Sequence, residues 1–259
     1  MKKLLLVMIS MLVIGVLAAC GSSENGTGGE KKVLKMATSA DYPPFEYIDT
    51  AKGSDIIGFD VDLAKAIGKE LGYEIKVEDM DFTGLIPALQ ANKADLVLAG
   101  MTPTADRKES VDFSDVYYTA KHMIVAKKGS GIESIEDLEG KTVGVQLASI
   151  QEGKAEEISK EVNIKVENRN RIPELIQEMK SGRFDAAIIE DTVAKGYFEN
   201  DKELEGFTIE DGNTEEAGSA IAFPKDSKHT EEFNKVLQEM KENGELEKLV
   251  VKWFGGEEK

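Results

Sequence analysis

From Val33 to Phe254 the sequence alternates short apolar runs with amphipathic stretches of helical period, and it does so in two successive blocks. That alternation restricts the fold more than any other feature. Residues 33–37 read as a strand. Residues 60–71 read as a helix with Val61, Ala64, Ile67 and Leu71 on one face and Gly72 as its stop. A strand at 75–77, a helix at 83–91 with Leu85, Ile86 and Leu89 inward, and a buried strand at 96–99 complete a βαβαβ unit. The second block repeats it with strand 142–145, helix 149–162, strand 164–166 and helix 173–179. Ala91-Asn92-Lys93-Ala94-Asp95 before one apolar strand is echoed by Ser181-Gly182-Arg183-Phe184-Asp185 before another, which favours two similar lobes. An apolar run at 219–223, ended by Pro224, and a single last helix at 230–249 are left to pack back on the first unit.

The expected fold is therefore α/β in two lobes, each a sheet flanked by helices. Residues 33–120 together with 222–259 form lobe 1, and 121–221 form lobe 2. The chain crosses between them near 119–125 and 216–222, and two crossings permit hinge bending with little other rearrangement.

The first residues give an address. Lys2 and Lys3 precede an apolar run, residues 4–17, that is too short to span a membrane, and Leu17, Ala18 and Ala19 lead into Cys20, the only cysteine. Residues 1–19 read as a secretory leader. Leu-Ala-Ala-Cys resembles the lipobox of bacterial lipoproteins, which implies cleavage before Cys20 and acylation of its sulfur, with palmitate among the expected chains. Residues 20–32 carry four glycines and read as a tether that holds the folded part roughly 20 Å from the bilayer. The chain is expected on the extracytoplasmic face of the cell membrane, held by lipid.

Acidic residues number 49 against 32 basic ones, a net charge of −17, and loss of Lys2 and Lys3 with the leader lowers it to −19. Such a surface repels nucleic acid and anionic lipid, so attachment rests on the acyl chains. His122 and His229 are the only histidines and sit in no ligand motif, so neither a metal nor a cofactor is expected.

Ligands of open α/β sheets sit beyond the carboxyl ends of the strands, where free N–H groups converge. The residues just past the strands are Ser39 and Tyr42, then Gly100, Thr102 and Arg107, then Ser149, Ile150 and Gln151, then Glu190 and Asp191. An Arg among hydroxyl and backbone donors suits a carboxylate, and an Asp on the opposite lobe suits an ammonium. A free α-amino acid carries both. Tyr42 and Phe82 are candidates to flank its side chain. Each residue alone also has an ordinary structural reading: Arg107 a solvated turn, Asp60 and Asp191 helix caps, Phe82 core. Only their joint placement points to a site.

Ala-Thr-Ser-Ala-Asp-Tyr-Pro-Pro-Phe-Glu-Tyr (37–47), Gly-Phe-Asp-Val-Asp-Leu-Ala (58–64), Gly-Leu-Ile-Pro-Ala-Leu-Gln (84–90) and Gly-Met-Thr-Pro-Thr-Ala-Asp-Arg (100–107) occur in order. Val-Asp-Phe-Ser-Asp-Val-Tyr-Tyr (111–118), Thr-Val-Gly-Val-Gln (142–146) and Ile-Glu-Asp-Thr-Val-Ala (189–194) follow. The ordered set resembles the polar-amino-acid solute receptors of ABC importers. The resemblance implies a type II periplasmic-binding-protein fold that closes over its ligand. It implies that Arg107 takes the α-carboxylate with Thr102 and the N–H groups of Ser149 and Ile150, and that Asp191 takes the α-ammonium with Gly100 and Thr102. Tyr42 and Phe82 match the aromatic walls.

Two positions depart from the pattern. Ser39 stands where several members have an Asp, and Ala148 where a Gly is common. Glu46, Asp60, Gln146, Gln151 and Glu190 supply an acidic, amide-rich end that suits a basic side chain, arginine first. The expected partners are a free amino acid and the permease of an importer, with the receptor itself a monomer. Glutamine or another polar amino acid is the alternative ligand. A dehydratase on the same fold, with Glu190 or Asp191 as its acid, is the alternative class; an Asp paired with an ammonium is ionised and cannot donate a proton, so no enzyme activity is expected. A receptor's sensor module would need a spanning segment after Phe254.

Overall fold

The computed structural model describes residues 32–51, 53–209 and 218–255. The expected leader, Cys20 and most of the tether lie outside the described residues. The strands begin with β1 (Lys32–Thr38), β2 (Asp41–Tyr42), β3 (Glu46–Ile48), β4 (Ile56–Ile57), β5 (Tyr73–Asp79), β6 (Leu96–Val97), β7 (Val111–Phe113) and β8 (Tyr118–Thr119). They continue with β9 (His122–Lys127), β10 (Thr142–Gln146), β11 (Lys165–Arg169), β12 (Ala186–Glu190), β13 (Leu204–Thr208), β14 (Gly218–Ser219) and β15 (Ala222–Pro224).

Two five-stranded sheets result, ordered β5-β1-β6-β15-β7 and β11-β10-β12-β9-β13. In each, three parallel strands stand in the order second, first, third: β5 and β6 flank β1, and β11 and β12 flank β10. An antiparallel strand from elsewhere in the chain then closes each set, β15 on β6 and β9 on β12. Between the two sheets in chain order, β8 pairs antiparallel with β14. Residues 122–127, which overlap the first expected crossing, form β9 of the second sheet.

The sequence echo has a physical counterpart. Asn92 and Gly182 both take left-handed φ, 52° and 76°, which ends the preceding helix and reverses the chain. The Asp three residues later then ties the new strand to the first strand of its own sheet. Asp95 accepts the Lys35 N–H at 2.7 Å while its own N–H donates to the Lys35 carbonyl at 2.9 Å. Asp185 does the same with Thr142, at 2.8 and 2.9 Å. One turn design is thus used in both lobes.

Helix Phe59–Glu70 buries Phe59, Val61, Leu63, Ala64 and Ile67, and Asp60 and Asp62 sit in its first turn, where the helix dipole favours acid. Full burial of a side chain such as Phe59 contributes about 2–3 kcal/mol. The single last helix expected at 230–249 is instead two, Lys228–Glu242 and Glu245–Phe254, because Gly244 turns left-handed at φ 80° and breaks the ladder. The break lets Phe254 reach back into an aromatic cluster with Phe45, Phe59 and Tyr118. The helix expected at 149–162 is shorter, Ile150–Ile158, with Ser149 as its cap. Among the described residues no helix is long and apolar enough to cross a membrane.

Candidate ligand-binding site

The carboxyl ends of β1, β6, β10 and β12 converge on a small cavity. Twelve of the residues read from the sequence line it: Ser39, Tyr42, Glu46, Phe82, Gly100, Thr102, Arg107, Gln146, Ser149, Ile150, Gln151 and Glu190. Asp41 and Ala99 join them. Asp60 and Asp191 do not line it.

Arg107 is held from three sides. Thr104 caps its helix, Ala105–Ser110, by accepting the Arg107 N–H. The guanidinium Nη1 donates to the Thr102 carbonyl at 2.8 Å, and Nη2 crosses to the Ala148 carbonyl of the other lobe at 2.9 Å. Its carbon sits 5.3 Å from the centre of the Phe82 ring. Burial lowers its pKa to about 10, so it remains charged at neutral pH. Ala148 presents its carbonyl from a left-handed conformation, φ 63°, which gives a physical reason for the glycine common at this place. Ser149 caps helix Ile150–Ile158 and leaves that helix's first N–H groups beside Arg107.

The opposite wall is acidic. Glu46 on β3 stands in register with Tyr42 on β2. Glu46 is fully buried, and neither of its carboxyl oxygens has a hydrogen-bond partner among the described residues. Burial, and then the neighbouring Asp60, push its pKa well above the ordinary carboxyl range. Asp60 lies behind it. Its Oδ2 accepts from the Gly100 N–H and from the Tyr117 hydroxyl, both at 2.9 Å, and burial raises its pKa to about 6. A side chain at Gly100 is strained: a Cβ there would lie 3.1 Å from Tyr42 Cε1, and φ is 55°.

Glu190 ends β12 with Oε2 unpartnered and its pKa pushed up to about 8, first by burial and then by Asp191. Asp191, expected from the sequence to take the ammonium, follows directly: its Oδ1 accepts the Lys121 N–H at 3.0 Å and its Oδ2 pairs with Lys195 Nζ at 2.7 Å, one helical turn on. The residue before it faces the cavity. Asp60, also read from the sequence as a site residue, stands behind Glu46 and holds the Gly100 N–H.

Arg171 and Asp41 were not foreseen as a pair. Arg171, at the start of helix Ile172–Lys180, donates across the cleft to Asp79 at 2.9 Å and to Asp81 at 2.8 Å, with Asp41 at 3.7 Å. Asp41 also accepts the Ile172 N–H at 2.7 Å and the Ser39 hydroxyl at 2.8 Å. Asn170 adds a bond to Asp81 at 3.2 Å. No local spacing announces contacts between residues so far apart in the chain.

The family model for bacterial extracellular solute-binding proteins, family 3, matches residues 34–256. The chain belongs to that family. It is a solute-binding protein rather than an enzyme, and it works outside the cytoplasm. Over 99% of its length it is 62% identical to the arginine-binding extracellular protein ArtP of Bacillus subtilis, all of which is covered. A solved ancestral arginine-binding protein bound to arginine is 42% identical, with TM-score 0.80 over 88% of this chain and 100% of that one. An amino acid ABC transporter substrate-binding protein of Streptococcus pneumoniae, solved with L-arginine, is 38% identical, with TM-score 0.79 over 86% of this chain and 95% of that one. The family's type II fold matches the two-sheet architecture described above.

Proposed function

We propose that this protein captures free arginine, or failing that another basic amino acid, outside the cytoplasm and presents it to the permease of an ABC importer. One observation carries the ligand class: the cavity holds one committed cation, Arg107, at one end and buried acids elsewhere, Glu46 with neither oxygen partnered among the described residues and Glu190 with Oε2 unpartnered. Buried acids are stable only when neutral or paired, and a ligand with two cationic groups and one carboxylate pairs them all. The similarity to arginine-binding relatives supports the same reading.

In this reading Arg107, the Thr102 hydroxyl and the N–H groups of Ser149 and Ile150 hold the α-carboxylate. Glu190 takes the α-ammonium, with the Gly100 carbonyl. Tyr42 and Phe82 flank the side chain, and Glu46 receives its cation with Gln146 and Gln151 beside it. Residues 33–120 and 222–259 act as one lobe and 121–221 as the other, bending about the β8–β14 ribbon. Leu-Ala-Ala-Cys supports a lipid anchor at Cys20 on a monomeric protein.

The test is a thermal-shift and calorimetric panel of arginine, lysine, histidine, glutamine, glutamate and cystine on ligand-stripped protein. A ligand at 100 times its Kd adds about 2.7 kcal/mol of stability. Arginine is expected to bind tightest and glutamate weakest. A glutamine affinity tenfold above that of arginine, about 1.4 kcal/mol, overturns the basic-ligand reading.

A further inference from the structure

Glu46 and Asp60 are more deeply placed than a simple pair of ligand contacts requires. Both are fully buried, and they lie against each other. Asp60 is the acid with support, from the Gly100 N–H and the Tyr117 hydroxyl. Such donors favour the charged form of the acid they face. Glu46 has no donor at either oxygen among the described residues, yet it is the member that lines the cavity. Two carboxylates in contact without solvent or a cation cannot both be ionised at modest cost.

The other titratable groups around Glu46 do not relieve this. Asp41 and Glu190 add negative charge, and Tyr42 and Tyr117 are held neutral by burial and by the same acids. Arg107 lines the same cavity but spends its two terminal nitrogens on the Thr102 and Ala148 carbonyls.

We propose that a basic ligand enters this site by exchange, its side-chain cation replacing a proton held by the Glu46–Asp60 pair, with Asp60 as the positioning residue that keeps that proton on Glu46. The inference rests on the amino-acid-receptor reading given above. Its balance is simple: one cation enters, the Glu46 carboxyl becomes a carboxylate, and one proton leaves to solvent. Glu190 exchanges a proton for the α-ammonium in the same way, but for every amino acid alike. The Glu46 exchange alone separates basic from neutral side chains, so preference for arginine over its neutral analogue citrulline grows with pH, by up to about tenfold per unit while Glu46 is protonated in the empty site. The directions of the carboxyl shifts at Glu46 and Asp60 agree with this.

The experiment is calorimetry of the mature protein with arginine and with citrulline, near pH 6, in buffers of different ionisation enthalpy. Arginine is expected to release close to one proton more than citrulline. Difference infrared spectra of the same unmutated protein should show a protonated-carboxyl band lost on adding arginine and kept with citrulline. Glu46→Gln should abolish the pH dependence of the preference, and Asp60→Asn should shift it to lower pH while arginine still binds. Equal proton release by the two ligands, with the carboxyl band unchanged by arginine, overturns the exchange and leaves the receptor reading intact. Absence of arginine binding to the unmutated protein overturns the receptor reading itself.

Discussion

Two groups of acids in this molecule have the same chemistry and opposite surroundings. At the rim of the cleft, Asp41, Asp79 and Asp81 gather around Arg171, which offsets part of their charge from the other lobe. Glu46 and Glu190 line the cavity with Asp60 behind Glu46, and none of the three is in an ion pair among the described residues. Rim pairs hold a geometry whether or not a ligand is present and are partly screened by water. In the proposed reading the ligand supplies the cations that the inner acids lack, so one set bears on closure and the other on selection.

The largest expected effect breaks the inner arrangement at its cationic end. Arg107→Ala should weaken arginine binding by roughly 2–5 kcal/mol, because it leaves the ligand carboxylate unpaired in an otherwise acidic, buried site. Calorimetry that finds affinity within threefold of the unmutated protein removes Arg107 from the site.

Next comes the choice between neighbours. Glu190→Gln should cost every amino acid ligand similarly, roughly 2–3 kcal/mol, and leave the order of side chains unchanged. Asp191→Asn should cost much less, since its charge serves Lys195 and the Lys121 N–H. The reverse ranking of the two variants returns the ammonium to Asp191.

A third prediction uses pH. Glu190 is held at about 8 in the fold. Its value is near 4.3 in an unfolded chain. Between these values the folded protein binds more protons than the unfolded one, so stability of the ligand-stripped protein falls as pH rises through this window, by at most about 1.4 kcal/mol per unit for this group. Asp60 acts in the same direction up to about pH 6. Saturating arginine should remove the decline. Melting temperatures flat from pH 5 to 8 without ligand contradict the inner acids' deficit.

The smallest effect belongs to the rim. Arg171→Ala should weaken all ligands equally, roughly five- to thirtyfold, by faster dissociation, and added salt should reproduce part of that loss. Stopped-flow kinetics with a change confined to one ligand would instead place Arg171 in selection.

Much of this was decided locally and so was open to a reading of the chain. Each βαβαβ block, the left-handed turn at Asn92 and at Gly182, the anchoring Asp95 and Asp185, the Thr104 and Ser149 caps, and the placement of Arg107 beyond a strand all follow from patterns within about a dozen residues. Hydrophobic period and turn chemistry are short-range, so one sequence carries them. The tertiary structure alone decided three things. It set Glu190 in the cavity lining and Asp191 beside Lys195, because adjacent residues at a strand-to-helix junction point in different directions and periodicity there is ambiguous. It set Asp60 behind Glu46, since which buried acid receives the Tyr117 hydroxyl depends on a helix packing against a distant segment. It joined Arg171 to Asp41, Asp79 and Asp81 across the cleft, a contact fixed only when two separately folded sheets meet, for which the chain carries no local signal.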